Sequence, residues 1–104
     1  MAEVVWTGRA REDLREILEY ISRDSRAYAQ SFALRLHRKV TRLSDFPRSG
    51  HVIPEDPKGI VREVIVGNYR VLYFETSDRV AILTVVHGAR RIDPPSAQDR
   101  TRED

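Results

Sequence analysis

The sequence predicts an α+β domain in which an antiparallel two-helix hairpin packs on one face of a small, mainly antiparallel sheet, in the order β-α-α-β-β-β. Three observations carry this. Apolar residues recur at helical spacing in two adjacent segments ahead of Phe46. After Gly59 the pattern changes to short runs rich in valine, isoleucine and tyrosine, the composition of strands. Between the two halves, residues 44–59 hold Pro47, Gly50, Pro54, Pro57 and Gly59, which reads as a long irregular loop. A chain of 104 residues supports one hydrophobic core and not two. Residues 1–93 are therefore read as a single domain and 94–104 as a flexible C-terminal tail.

Each element has a local reason. Residues 2–6 (AEVVW) read as a short strand. From Ala10 onward Leu14, Ile17, Leu18 and Ile21 share one helical face, with Thr7 placed to cap the helix. A second helix fits Ser25 to Leu43, with the stripe Ala29, Phe32, Ala33, Leu36, Val40 and Leu43 and a cap from Asp24 or Ser25. The short SRDS link makes the pair a hairpin. Asp45-Phe46-Pro47 ends helical structure. Strands are expected at Ile60–Val66, Tyr69–Glu75 and Arg79–His87, the first two joined by Gly67-Asn68 in a two-residue type II′ turn.

That turn fixes register: Val66 opposes Tyr69, Val64 opposes Val71, and Arg62 opposes Tyr73. This nearly apolar face is expected to carry the helices. The other face holds Val61, Glu63, Ile65, Arg70, Leu72 and Phe74, with Glu63 and Arg70 close enough on a diagonal to pair. Four apolar side chains on a face without helices call for a cover other than water.

Composition narrows the function classes. Hydrophobic residues make up 40% and charged residues 33% of the chain, the balance of a globular domain. No apolar run approaches the ~20 residues of a membrane span, and the N-terminus lacks the basic and apolar regions of a signal peptide. A cytoplasmic location is expected. With no cysteine, disulfides, thiolate metal sites and cysteine nucleophiles are excluded. His37 and His51 have no partners at metal-ligand spacing, so neither metal nor cofactor is expected. The net charge of +2 is unevenly spread, because Arg23 to Arg48 contains seven basic residues against Asp24 and Asp45. The run ILTVVHGARRI then sends a buried strand into His87, Arg90 and Arg91, a histidine and two fixed cations at the rim of the sheet.

Several fragments together carry a resemblance over residues 4–91: Trp6, then ARxDLxxI in the first helix, FPxSG after the second, VREVIVGNYRVLYF, and VVHGAR. In this order they resemble the ParE/RelE toxins of bacterial type II toxin–antitoxin modules, and Arg62-Glu63 with Asn68-Tyr69 makes the chain more similar to ParE. The resemblance implies a growth inhibitor of the plasmid-stabilising kind, acting on DNA gyrase and neutralised by a cognate antitoxin, with which it can form higher-order oligomers. RelE-type relatives imply the alternative, a ribosome-dependent mRNA endonuclease (an mRNA interferase).

Such a nuclease needs a base, an acid and cations for the phosphorane charge. Arg70 and Arg90 match two arginines of the RelE set, and His87 is the residue that could serve as acid or base. Val61 and Glu63 stand where RelE carries lysines, however, and no tyrosine follows Tyr73. The resemblance therefore implies target contacts at Arg62, Arg70, His87, Arg90 and Arg91. The bare face suggests antitoxin contacts at Val61, Ile65, Leu72, Phe74 and Arg90. Internal pairing with Glu63 and Glu75 is the alternative role for Arg62 and Arg70.

Overall fold

A computed structural model describes residues 1–90 and Ile92; Arg91 and the tail expected at 94–104 lie outside the described residues. The elements are β1 (Glu3–Trp6), α1 (Gly8–Asp24), α2 (Arg26–Arg42), β2 (His51–Val52), β3 (Arg62–Val66), β4 (Tyr69–Glu75) and β5 (Arg79–His87). They form one mixed sheet in the order β1-β5-β4-β3-β2. β1 runs parallel to β5 and the other neighbours are antiparallel.

Both helices start where a hydroxyl caps them. Thr7 Oγ1 accepts the Ala10 N–H at 3.1 Å and donates to the Leu83 carbonyl at 3.0 Å, so one buried side chain starts α1 and ties it to β5. Ser25 ends α1 with its backbone N–H and caps α2 by accepting the Tyr28 N–H. The hairpin joint is thus the single residue Ser25, tighter than the four-residue link read from the sequence. The β3–β4 turn is type II′ as expected: Gly67 has φ +58° and Asn68 does not have a positive φ. The register is also the expected one, Val66 on Tyr69 through Arg62 on Tyr73.

The apolar side chains form a cluster on each face of the sheet, where the length of the chain suggested a single core. On the helix side Phe32, Leu36, Val40 and Leu43 pack against Val66, Val71, Tyr73 and Ile82. On the other side Val61, Leu72, Ala81, Leu83 and Val86 cluster with Ile53. The cover predicted for that face is therefore supplied by the chain itself. Two features fix the loop between α2 and β3 there. Its short strand β2, which the sequence reading did not foresee, pairs with β3. Asp56 accepts the N–H groups of Lys58, Ile60 and Val61, closing a turn in which Gly59 takes φ +70°.

Glycine at 50 is required by close approach. A Cβ there would lie 2.4 Å from the Glu63 carbonyl oxygen and 2.6 Å from the Tyr73 hydroxyl, and the Gly50 N–H donates to that hydroxyl. On β5 the pairs Leu72–Thr84 and Tyr73–Ile82 leave Leu83 as an extra residue, a bulge. Next to it Asp13 of α1 accepts from Thr84 Oγ1 and from the Val85 N–H, which explains the aspartate in ARxDLxxI.

Candidate functional site

The cationic residues separate into two environments. Arg70 leaves β4 on the face away from the helices and is 5% exposed. Its Nη1 and Nη2 donate to the two carboxylate oxygens of Glu55, both at 2.8 Å, in the bidentate geometry that suits a guanidinium. Its Nε donates to Glu63 Oε1 at 2.5 Å, and the other oxygen of Glu63 meets His51 Nε2 at 2.6 Å. A further Nη1 contact reaches the Arg90 carbonyl at 3.2 Å. The diagonal pairing of Glu63 with Arg70 is as the register suggested. Glu55 and His51 come from the loop and β2, and they complete a Glu55–Arg70–Glu63–His51 chain.

The electrostatics follow from this geometry. The guanidinium holds the Glu55 carboxyl well below the usual carboxylate range, at about 2, and the two carboxylates push Arg70 further up from its already high value. Arg70 therefore stays charged, with its donors already engaged inside the protein. Arg62 is also turned inward: its Nη1 donates to the Gly50 carbonyl at 2.7 Å and more weakly to that of Arg48. Arg48, not Arg62, pairs with Glu75.

The rim differs. His87 and Arg90 are exposed and border an open cavity of about 250 Å³ between the first half of α1 and the ends of β4 and β5. Arg9, Glu16, Tyr20 and Tyr69 also line it. His87 packs edge-on against Tyr69, centroids 5.4 Å apart, and Tyr69 packs likewise on Phe32. His87 Nδ1 accepts the Ala89 N–H, so a neutral ring carries its proton on Nε2. The Gly88 N–H donates to the Asn68 carbonyl, which pins the GAR turn to the β3–β4 hairpin. Burial raises the Tyr69 hydroxyl above its ordinary pKa, with the nearby Tyr20 and Tyr28 adding to the shift. The rim can thus present donors and aromatic surface to a partner. Asp13, which also lines this cavity, is engaged by Thr84 and Val85.

Of the residues expected to contact an antitoxin, Val61 and Leu72 are fully buried beneath the loop, so a partner reaches them only by displacing it. Phe74 is half-buried and Ile65 is 41% exposed. Arg91 lies outside the described residues. Glu55, which fixes the role of Arg70, carried no sequence signal: it lies 15 residues earlier in a loop with no period.

Among the described residues no His, Asp and Glu group is placed to hold a metal, and no helix is long and apolar enough to cross a membrane. The model of the ParE toxin family of type II toxin–antitoxin systems (parDE) matches residues 4–92. Toxin RelE2 of Caulobacter vibrioides is 36% identical over 90 residues, covering 86% of this chain and 99% of that protein. Among solved structures, a chain of the chromosomal ParDE system from P. aeruginosa superposes with a TM-score of 0.69 at 21% identity, covering 84% of this chain and 96% of its own. That likeness establishes the shared fold, a helix pair on a mixed, mostly antiparallel five-stranded sheet. The chain belongs to the ParE toxin family of type II toxin–antitoxin systems.

Proposed function

We propose that this toxin arrests growth by binding DNA gyrase and is not a ribosome-dependent nuclease. The observation that supports this is the enclosure of Arg70: the strand arginine that matches the RelE set is bonded to Glu55 on one side and Glu63 on the other. An anionic substrate would have to displace two carboxylates already paired at close range, which is costly in a buried site. No lysine stands on β3, and the Glu63 carboxylate paired with Arg70 would repel a phosphate brought to it. The target contacts are then His87 and Arg90 at the rim, with Arg91 next to them in sequence.

As a type II toxin the protein has a cognate antitoxin as partner. We place that contact at Ile65, Phe74 and Arg90, the accessible members of the expected set; Val61 and Leu72 act behind them as support.

The test is direct. The purified chain should inhibit supercoiling by purified gyrase and leave messenger RNA intact on programmed ribosomes. The name of the RelE2 relative keeps the alternative specific: site-specific mRNA cleavage that disappears in Arg70→Ala would replace the gyrase reading with the nuclease one.

A further inference from the structure

The two helices handle charge differently. α1 mixes acids and bases, and its Arg15 is held by both Glu12 and Glu19. α2 carries Arg26, Arg35, Arg38, Lys39 and Arg42 and has no acidic residue. Four of these fall at i, i+3, i+4 and i+7, so Arg35, Arg38, Lys39 and Arg42 form one stripe. At 1.5 Å per residue the stripe is about 10 Å long.

The stripe follows the side of β3 that β2 leaves open, since β2 pairs only with Arg62 and Glu63. The Arg35 guanidinium lies beside Gly67, and Lys39 Nζ donates to the Ile65 carbonyl. Arg42 borders a groove of about 300 Å³ with Ser49, Gly50 and His51. Among the described residues none of the four forms an ion pair, and Arg35 Nε is buried with no hydrogen-bond partner. Exposed aromatic rings stand at both ends. Tyr28 is 48% and Phe46 58% exposed. Arg35 lies over the first ring at 5.9 Å and Arg42 over the second at 6.0 Å.

We propose that this stripe binds a nucleic-acid strand, with phosphates on Arg35, Arg38 and Arg42 and bases stacked on Tyr28 and Phe46. A solvated helix face does not require charges of one sign, and like charges at i+4 destabilise a helix. Large exposed rings beside them add a second feature that water does not favour. A strand of nucleic acid answers both, since it brings a row of phosphates and flat bases together. With one phosphate on each of the three arginines, the stripe makes about three phosphate contacts. No side chain in it is arranged to read base edges, so binding is sequence-independent. An acidic peptide would answer the arginines but leave the rings bare. The site lies apart from the rim and does not depend on which target the toxin attacks.

The experiment is fluorescence anisotropy of a labelled oligothymidylate titrated with the full chain, freed of antitoxin, over a range of salt. About three phosphate contacts predict a log–log salt slope near −2 for a single strand. Arg35→Gln, Arg38→Gln and Arg42→Gln combined should weaken binding at least tenfold, bring the slope towards zero and leave the thermal midpoint in place. Tyr28→Ala with Phe46→Ala should weaken the single strand about tenfold or more and a duplex far less. Arg23→Gln, Arg26→Gln and Lys58→Gln, the same charge loss off the stripe, should change little. The proposal is overturned if the stripe variant binds like the parent, if the off-stripe variant loses as much, or if oligoglutamate displaces the strand at equal charge concentration.

Discussion

Arg70 and Arg90 touch, through the bond from the Arg70 guanidinium to the Arg90 carbonyl, yet their side chains belong to different regions. Arg70 is enclosed with Glu55, Glu63 and His51 on the loop-covered face. Arg90 and His87 stand in solvent at the end of β5. In sequence the two arginines look like members of one cationic set. The structure divides them by whether a carboxylate reaches them first. A cation whose nitrogens are each engaged inside the fold has little left for a partner, whereas an exposed cation contributes little to stability and is available for binding. The first region should therefore respond to mutation mainly through folding, and the second mainly through activity.

The largest effect is expected at Arg70. Arg70→Met leaves Glu55 and Glu63 buried without their counter-charge and should cost about 3–5 kcal/mol, read as a lower urea midpoint at unchanged m. A variant that stays as stable as the parent would mean that the network is not structural. Next is Gly50→Ala, which forces a methyl group into the Glu63 carbonyl and the Tyr73 hydroxyl. A loss of about 1–3 kcal/mol is expected, because the close approach of loop to sheet has to open.

Acidification probes the same region without mutation. The Glu55 carboxyl is lowered in the folded state to about 2, so its contribution is fully present above the unfolded value of ~4.3 and is lost as pH falls from there through about 2. The expected loss is roughly 1–3 kcal/mol, and Glu55→Gln should flatten that part of the stability–pH curve. A curve of equal steepness in the variant would assign the acid sensitivity to other carboxylates. The smallest stability effect belongs to the rim. His87→Asn with Arg90→Ala should move stability by less than about 0.5 kcal/mol while strongly reducing growth arrest in cells. Full toxicity in that double variant would remove the rim from the target-binding surface.

The sequence made the helices, every strand but β2 and the β3–β4 register legible because each rests on a short-range rule. Thr7 and Ser25 are capping residues at the right offset. Gly67 supplies the one positive φ of a type II′ turn, and that turn then sets every pair up to Arg62–Tyr73. The loop was not legible for the opposite reason. Its cover of Val61 and Leu72 depends on Ile53, on an aspartate closing its own turn, and on Glu55 reaching an arginine 15 residues away, none of which repeats with any period. Reading Val61 and Leu72 as accessible followed from counting faces without counting the loop. The site was half legible for the same reason. Glu63 could be matched to Arg70 across neighbouring strands, but Glu55 could not, and Glu55 is what closes Arg70 off.

The central claim is that Arg70 serves the fold and the rim serves the target. Replacing the ions together with apolar side chains of similar volume separates the two roles, because a buried ion cluster exchanged as a unit can keep its stability when a single deletion cannot. The measurement is growth arrest by Glu55→Leu, Glu63→Leu, Arg70→Met, expressed to the same level as the parent and with its folding checked by urea denaturation. A folded triple variant that still arrests growth is the predicted result. A folded triple variant that has lost toxicity would show that Arg70 acts on the target itself.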